Sequence, residues 1–192
     1  MSSASGPGTV RSRSRTFWAI ANLLGHESLL NAKIPHRDKS LGNIMLTRPK
    51  DDGFLIDLNP AVKIYRENAS GAPSKTGTTV YVAMGALYSD DHNFMHDLES
   101  FFWVLFWICV HWNGLGLSKS KTEYESWNYE PTRKLVEIKT GRALENDEFD
   151  KEIGRNFTAH CRALAPCIQE IHKVVFPVGK RWVESIDNYV PR

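Results

Sequence analysis

Residues 101–110 read Phe-Phe-Trp-Val-Leu-Phe-Trp-Ile-Cys-Val, an unbroken apolar run bounded by Glu99-Ser100 and His111. A surface helix must return a polar side chain about every 3.6 residues, so this run cannot lie on a surface. It is also too short to cross a bilayer, which takes about 20 apolar residues in a helix. The run therefore predicts a central buried helix over 92–112 with the rest of the chain packed around it. A chain of 192 residues, 42% apolar, can bury one ordinary core of this kind. Its partners are predicted as short amphipathic helices near 131–139, 148–164, 166–175 and 180–187, punctuated by Pro131, Pro166 and Pro177. Three of the six tryptophans and four of the nine phenylalanines fall in the central helix, and they are assigned to that core rather than to an aromatic ligand box.

Ahead of that helix the chain changes character several times. Residues 1–15 are Ser, Gly and Arg with almost nothing to bury, and predict a disordered tail. From Thr16, a plausible N-cap, Phe17, Ile20, Leu23 and Leu24 fall on one helical face, and Pro35 closes the segment. Ile44-Met45-Leu46 and Phe54-Leu55-Ile56 flank an Asp-Gly turn and predict a small hairpin. Residues 60–79 are rich in Gly, Ser, Pro and Lys and predict a long exposed loop. Charge is nearly balanced, 24 basic against 22 acidic residues for a net of +2, which argues against a dedicated nucleic-acid binder. Three cysteines at irregular spacing, and no apolar leader at residue 1, predict an intracellular protein, cytoplasmic or nuclear. His92 and His96, four apart, could share a helix face as metal ligands, but no third ligand accompanies them and capping roles are favoured.

The chemistry concentrates in His36-Arg37-Asp38-Lys39-Ser40-Leu41-Gly42-Asn43 and in Asp57, which the predicted hairpin returns beside Asn43. Phosphoryl transfer needs such a set: one carboxylate to take a proton from the attacking hydroxyl, and an amide plus a second carboxylate to hold magnesium. Asp38 is the candidate base, Asn43 and Asp57 the candidate metal and nucleotide ligands. Arg37 is suited to a phosphate or carboxylate arriving from the long loop, where Ser70, Ser74 and Thr76 could be phosphorylated. His36 is assigned to packing and hydrogen bonding that hold the loop.

These motifs, with Leu55-Ile56-Asp57-Leu58, Thr76-Gly77-Thr78 and His96-Asp97-Leu98-Glu99-Ser100-Phe101-Phe102, occur in the order of the fungal-type protein kinase family, which the chain resembles from about Thr16 to Asn113. The resemblance implies the large, C-terminal lobe of a protein kinase-like α+β fold, mainly α with a small β-hairpin, spanning 16–192. It implies a catalytic loop at 36–43, a metal-binding segment at 55–59, an activation-type loop at 60–79, and ATP and Mg2+ as cofactors for transfer to Ser or Thr of a protein. It further implies structural support from Thr78 and from Asp97, which would anchor the catalytic loop from beneath. Without the family, Asp97 reads as the N-cap of the central helix.

Departures accompany the match. Asp-Phe-Gly is replaced by Asp57-Leu58-Asn59, Ser40 stands two residues after Asp38 with Lys39 one residue early, and Gly85 replaces a Glu that braces the lobe through a late Arg. No Gly-x-Gly-x-x-Gly is found in the chain, so the small lobe is expected to be absent and the 192 residues to be inactive alone. Two other functions remain open at this stage: a non-catalytic lobe that docks a protein partner, and a small-molecule phosphotransferase of the aminoglycoside or choline kinase type.

Overall fold

The computed structural model describes residues 36–38, 40–46, 53–57, 79–88, 92–114, 122–143 and 146–177. The expected tail and first helix, the 47–52 turn, most of the 60–79 loop and the 180–187 helix lie outside them. Two three-residue strands, β1 (Ile44–Leu46) and β2 (Gly53–Leu55), pair antiparallel in the register Ile44↔Leu55, Met45↔Phe54 and Leu46↔Gly53. The second strand starts one residue earlier than its apolar residues indicate. Among the described residues five helices follow: α1 (Met84–Leu87), α2 (Phe94–His111), α3 (Thr132–Ala143), α4 (Asn146–Asn156) and α5 (Ala165–Val175). Short 3₁₀ turns at Leu41–Asn43, Thr79–Tyr81, Glu123–Asn128 and Arg162–Leu164 connect or extend them.

Helix α2 is the buried axis that its sequence demands. Phe101, Phe102, Trp103, Val104, Leu105 and Phe106 are buried in succession, so core surrounds the helix rather than lining one stripe of it. It begins at Phe94, two residues later than expected, with Asn93 as its N-cap. The Asn93 side chain accepts from Met95 N at 2.9 Å and His96 N at 3.2 Å, while Asn93 N donates back to His96 Nδ1 at 3.3 Å. This capping box satisfies donors that no helical carbonyl can reach. At the other end Thr158 serves the orphan carbonyls: its N–H donates to Cys109 O at 2.9 Å and its hydroxyl to Trp112 O at 2.6 Å. Those bonds explain why the helix expected over 148–164 stops at Asn156, since Thr158 is committed to α2 rather than to its own helix.

The other helices dock on this axis through aromatic side chains. Phe149 on α4 meets both Phe102 and Phe106, with centroids 5.5 and 6.0 Å apart. Phe176, just after α5, contacts Phe102 and Trp103, and Trp127 meets Trp103 edge-on at 5.6 Å. Phe149 and Ile153 lie one turn apart on the inner face of α4, while Asp147 and Glu148 suit its N-terminus and Arg155 its last turn. Among the described residues no helix is long and apolar enough to cross a membrane.

One core histidine makes the fold sensitive to acid. His172 is buried, stacks on Phe149 at 3.9 Å and donates from Nε2 to Ala143 O at 2.6 Å. Burial pushes its pKa below the ordinary 6.5, against an opposing contribution from the Ala143 bond. Below that value the unfolded chain takes up a proton that the native chain resists. The stability contributed by neutral His172 is thus complete above 6.5 and is lost as pH falls from there through the folded-state value. The loss in denaturation midpoint between about pH 7.5 and pH 5.5 is expected to be smaller in His172→Phe than in the parent chain. Equal losses in the two would discount His172 as the source.

Candidate active site

The catalytic-type loop is held to the first turn of α2 by one carboxylate. Asp97, 1% exposed, accepts the backbone N–H of His36 at 2.6 Å and of Arg37 at 3.0 Å, and its Oδ1 lies 2.9 Å from His92 Nε2. It is not the helix N-cap: Asn93 occupies that position and leaves Asp97, four residues on, to reach across to the loop. His36 is fully buried, and its Nε2 donates to Ile56 O at 3.1 Å. That bond leaves Nδ1 as the acceptor, which the Asp38 N–H faces at 3.4 Å. One imidazole therefore ties the loop to the strand end that leads to Asp57.

Arg37 has φ of 68° and Asp57 φ of 58°, left-handed conformations that are uncommon for side-chain-bearing residues. For Arg37 the paired N–H bonds to Asp97 hold the backbone there. Asp tolerates this region better than most residues, so Asp57 can turn the chain after β2 without the glycine that is missing two residues on. Ile56 N donates to Asn43 O at 2.9 Å, which continues the β1–β2 register by one pair and sets Asp57 next to Asn43 along the chain path. Asn43 Nδ2 donates to Asp38 O at 2.9 Å. With the amide nitrogen committed, Oδ1 is the atom left to face a cation, as a magnesium ligand requires.

Asp38 carries the most telling feature. Its Oδ1 is buried and has no hydrogen-bond partner among the described residues. An orphaned carboxylate oxygen is costly to keep in a native fold, and a hydroxyl donor from a ligand would satisfy it. Asp38 thus suits a hydroxyl brought to it by a ligand. Thr78, Lys39, Leu58 and Asn59 lie outside the described residues. His92 and His96 come together, ring centroids 5.5 Å apart, but one faces Asp97 and the other completes the cap of α2. No group of three or more His, Cys, Asp or Glu side chains able to hold a metal ion occurs among the described residues.

The model of a family described as fungal protein kinase matches residues 9–109, just over half of the chain. The chain belongs to the fungal protein kinase family. The matched span takes in the His36-Arg37-Asp38 loop, the β1–β2 pair and α2 as far as Cys109, while α3, α4 and α5 lie beyond it. Their mainly helical packing is consistent with a helical kinase lobe. No match was found among curated proteins.

The fungal protein kinase match does not by itself point to a second pair of charged residues. Glu99 on α2 and Lys139 on α3 are both buried, 6% and 0% exposed. Burial pushes the Glu99 pKa up and the Lys139 pKa down, and the opposite charge of each acts against that shift. A sequence signal was available for Lys139: it falls on the same helical face as Leu135, Val136 and Ala143, where an ammonium is out of place. Gly85 contributes no side chain to brace the lobe, yet the chain around it is not left unheld, because Met84 N donates to Glu99 Oε1 at 2.8 Å.

Proposed function

We propose that this chain is the large lobe of an ATP- and Mg2+-dependent protein kinase acting on Ser or Thr, with residues 36–43 as catalytic loop, 55–59 as metal-binding segment and 60–79 as activation-type loop. The buried, unpartnered Oδ1 of Asp38 carries this reading, since an acceptor oxygen without a donor suits the proton of an incoming hydroxyl. Asn43 and Asp57 would hold magnesium, which when bound supplies charge neutralisation at the phosphates. Arg37, held at its unusual φ by Asp97, offers a guanidinium to an anionic group on the loop.

The test is melting temperature with ATP and Mg2+, since a ligand bound to the native state raises it. The parent is expected to show a Mg2+-dependent rise that Asn43→Ala and Asp57→Ala each remove. Asp38→Asn keeps the rise and loses transfer to any acceptor. A rise of equal size in all three variants, or none in the parent, would sink the proposal. Because the 192 residues contain no identifiable glycine-rich phosphate clamp, the isolated polypeptide is expected to turn over a peptide several orders of magnitude more slowly than a complete kinase. Robust turnover by it alone would refute that expectation.

A second reading, a lobe that docks a protein partner without catalysis, is favoured by one observation. Leu41, Met45 and Ile56, beside the catalytic-type loop, are 41%, 45% and 36% exposed, an apolar surface that an added polypeptide could cover.

A further inference from the structure

Helix α5 docks by one stripe, and a titratable ring stands in the middle of it. Ile168, His172 and Val175 recur at helical spacing and are buried, while Glu170, Lys173 and Val174 are exposed. Four helices meet at the His172 ring. It stacks on Phe149 of α4 at 3.9 Å and lies 5.8 Å from Phe102 of α2, centroid to centroid. It also donates to the carbonyl of Ala143, the last residue of α3, at 2.6 Å. That carbonyl has no donor within its own helix, so α5 caps α3 through this ring.

A proton added to the ring disturbs this junction. Nε2 already donates to Ala143 O, and among the described residues no acceptor is bonded to Nδ1, so protonation adds a donor that has no protein partner. The charged groups that act on the ring are Asp150 of α4, which accepts from Gln169 at 2.6 Å and favours the cation, and Lys173 of α5, which opposes it. The Ala143 carbonyl favours the cation too, but burial is the largest influence and disfavours it.

Such a charge is relieved most cheaply where least structure moves. Releasing α5 breaks one apolar stripe, the bond to Ala143 and the Gln169–Asp150 bond. It leaves α2 and α4 joined through Phe106 and Phe149, and α3 and α4 joined through Tyr124, whose hydroxyl bonds both Arg142 and Glu152.

We propose that His172 makes α5 an acid-released latch: on protonation α5 leaves the aromatic face formed by Phe102 and Phe149 and uncaps α3, while α2, α3 and α4 stay packed. The acid sensitivity of the fold then begins as the opening of one helix, and the latch does not depend on the phosphotransfer reading.

Residue-resolved amide exchange of the full 192-residue chain, expressed as protection relative to unstructured peptide at each pH, tests the latch. Amides of His172 and Val175 report α5, and those of Phe102 and Phe106 report α2. Between pH 7.5 and pH 5.5, protection in α5 is expected to fall about fivefold or more relative to α2, the scale of a typical linkage between a ligand and a conformational change. In His172→Phe the ratio is expected to stay flat, since no group in the stripe then titrates. Asp150→Asn, at an exposed position, keeps an acceptor for Gln169 and removes a charge that favours the cation, so its fall is expected to exceed the parent's. Equal falls in α5 and α2 of the parent, a fall in His172→Phe that matches the parent's, or a fall in Asp150→Asn no larger than the parent's would each overturn the proposal.

Discussion

Phe102→Ala is expected to destabilise the chain by about 3–5 kcal/mol, the range for removing a buried phenylalanine ring. A domain of this size is held by only about 5–15 kcal/mol, so much of its stability depends on that one side chain. The reason lies in what the ring touches. Phe102 lies 5.1 Å from Trp103 and from Phe176, 5.5 Å from Phe149 and 5.8 Å from His172, centroid to centroid. It thereby joins α2 to α4, to α5 and to the residue that follows α5. Aromatic neighbours of fixed shape cannot close around a lost ring, so a cavity remains and adds to the lost transfer energy. Phe102→Leu, which leaves a smaller cavity, is expected to lose clearly less. Guanidinium unfolding of the two variants beside the parent is the measurement. A loss below about 1 kcal/mol in the alanine variant would show that the helices do not meet at this ring.

Asp97→Ala is expected to cost about 3 kcal/mol or more, because hydrogen bonds to a charged group are worth about 1.5–3 kcal/mol each and at least two are lost. The N–H groups of His36 and Arg37 lose their acceptor, and His92 loses the carboxylate it faces. The effect should also be local. Arg37 keeps its left-handed backbone against a penalty of about 1–3 kcal/mol, and Asp97 is what holds it there. Without it the loop is expected to relax, carrying Asp38 and Asn43 out of place and removing any Mg2+-dependent nucleotide shift. Asp97→Asn should fare little better, since its amide nitrogen would present hydrogens to a site built from donors. Denaturation together with the nucleotide melting shift checks both effects. An Asp97→Ala chain that stays fully stable and still responds to Mg2+ and ATP would remove Asp97 from its anchoring role.

Much of the design was legible in the residues. The run at 101–110 could only be a buried axis, and it is one. The Asp38, Asn43 and Asp57 constellation and the family were readable from short motifs, since each depends on a spacing of a few residues along one stretch. Helix ends were read less well. Phe94, capped by Asn93, rather than His92 starts α2, and α4 stops at Asn156 because Thr158 is drawn to Trp112 O, a bond spanning 46 residues. Asp97, a cap when its neighbours alone are read and an anchor of the loop when the family resemblance is, does not cap α2: the two N–H groups it accepts lie 60 and 61 residues away.

The sequence by itself determined what is local: an all-round apolar helix, two short strands, the residues proposed for phosphotransfer, and the family. Tertiary structure alone decided which groups meet. It set Lys139 beside Glu99 and against Val82 O, 57 residues away. Periodicity and turn chemistry act through neighbours along the chain, so they can be read in one dimension. A buried carboxylate or ammonium takes its partner from whatever packing brings within about 3 Å, and no spacing in the chain encodes that.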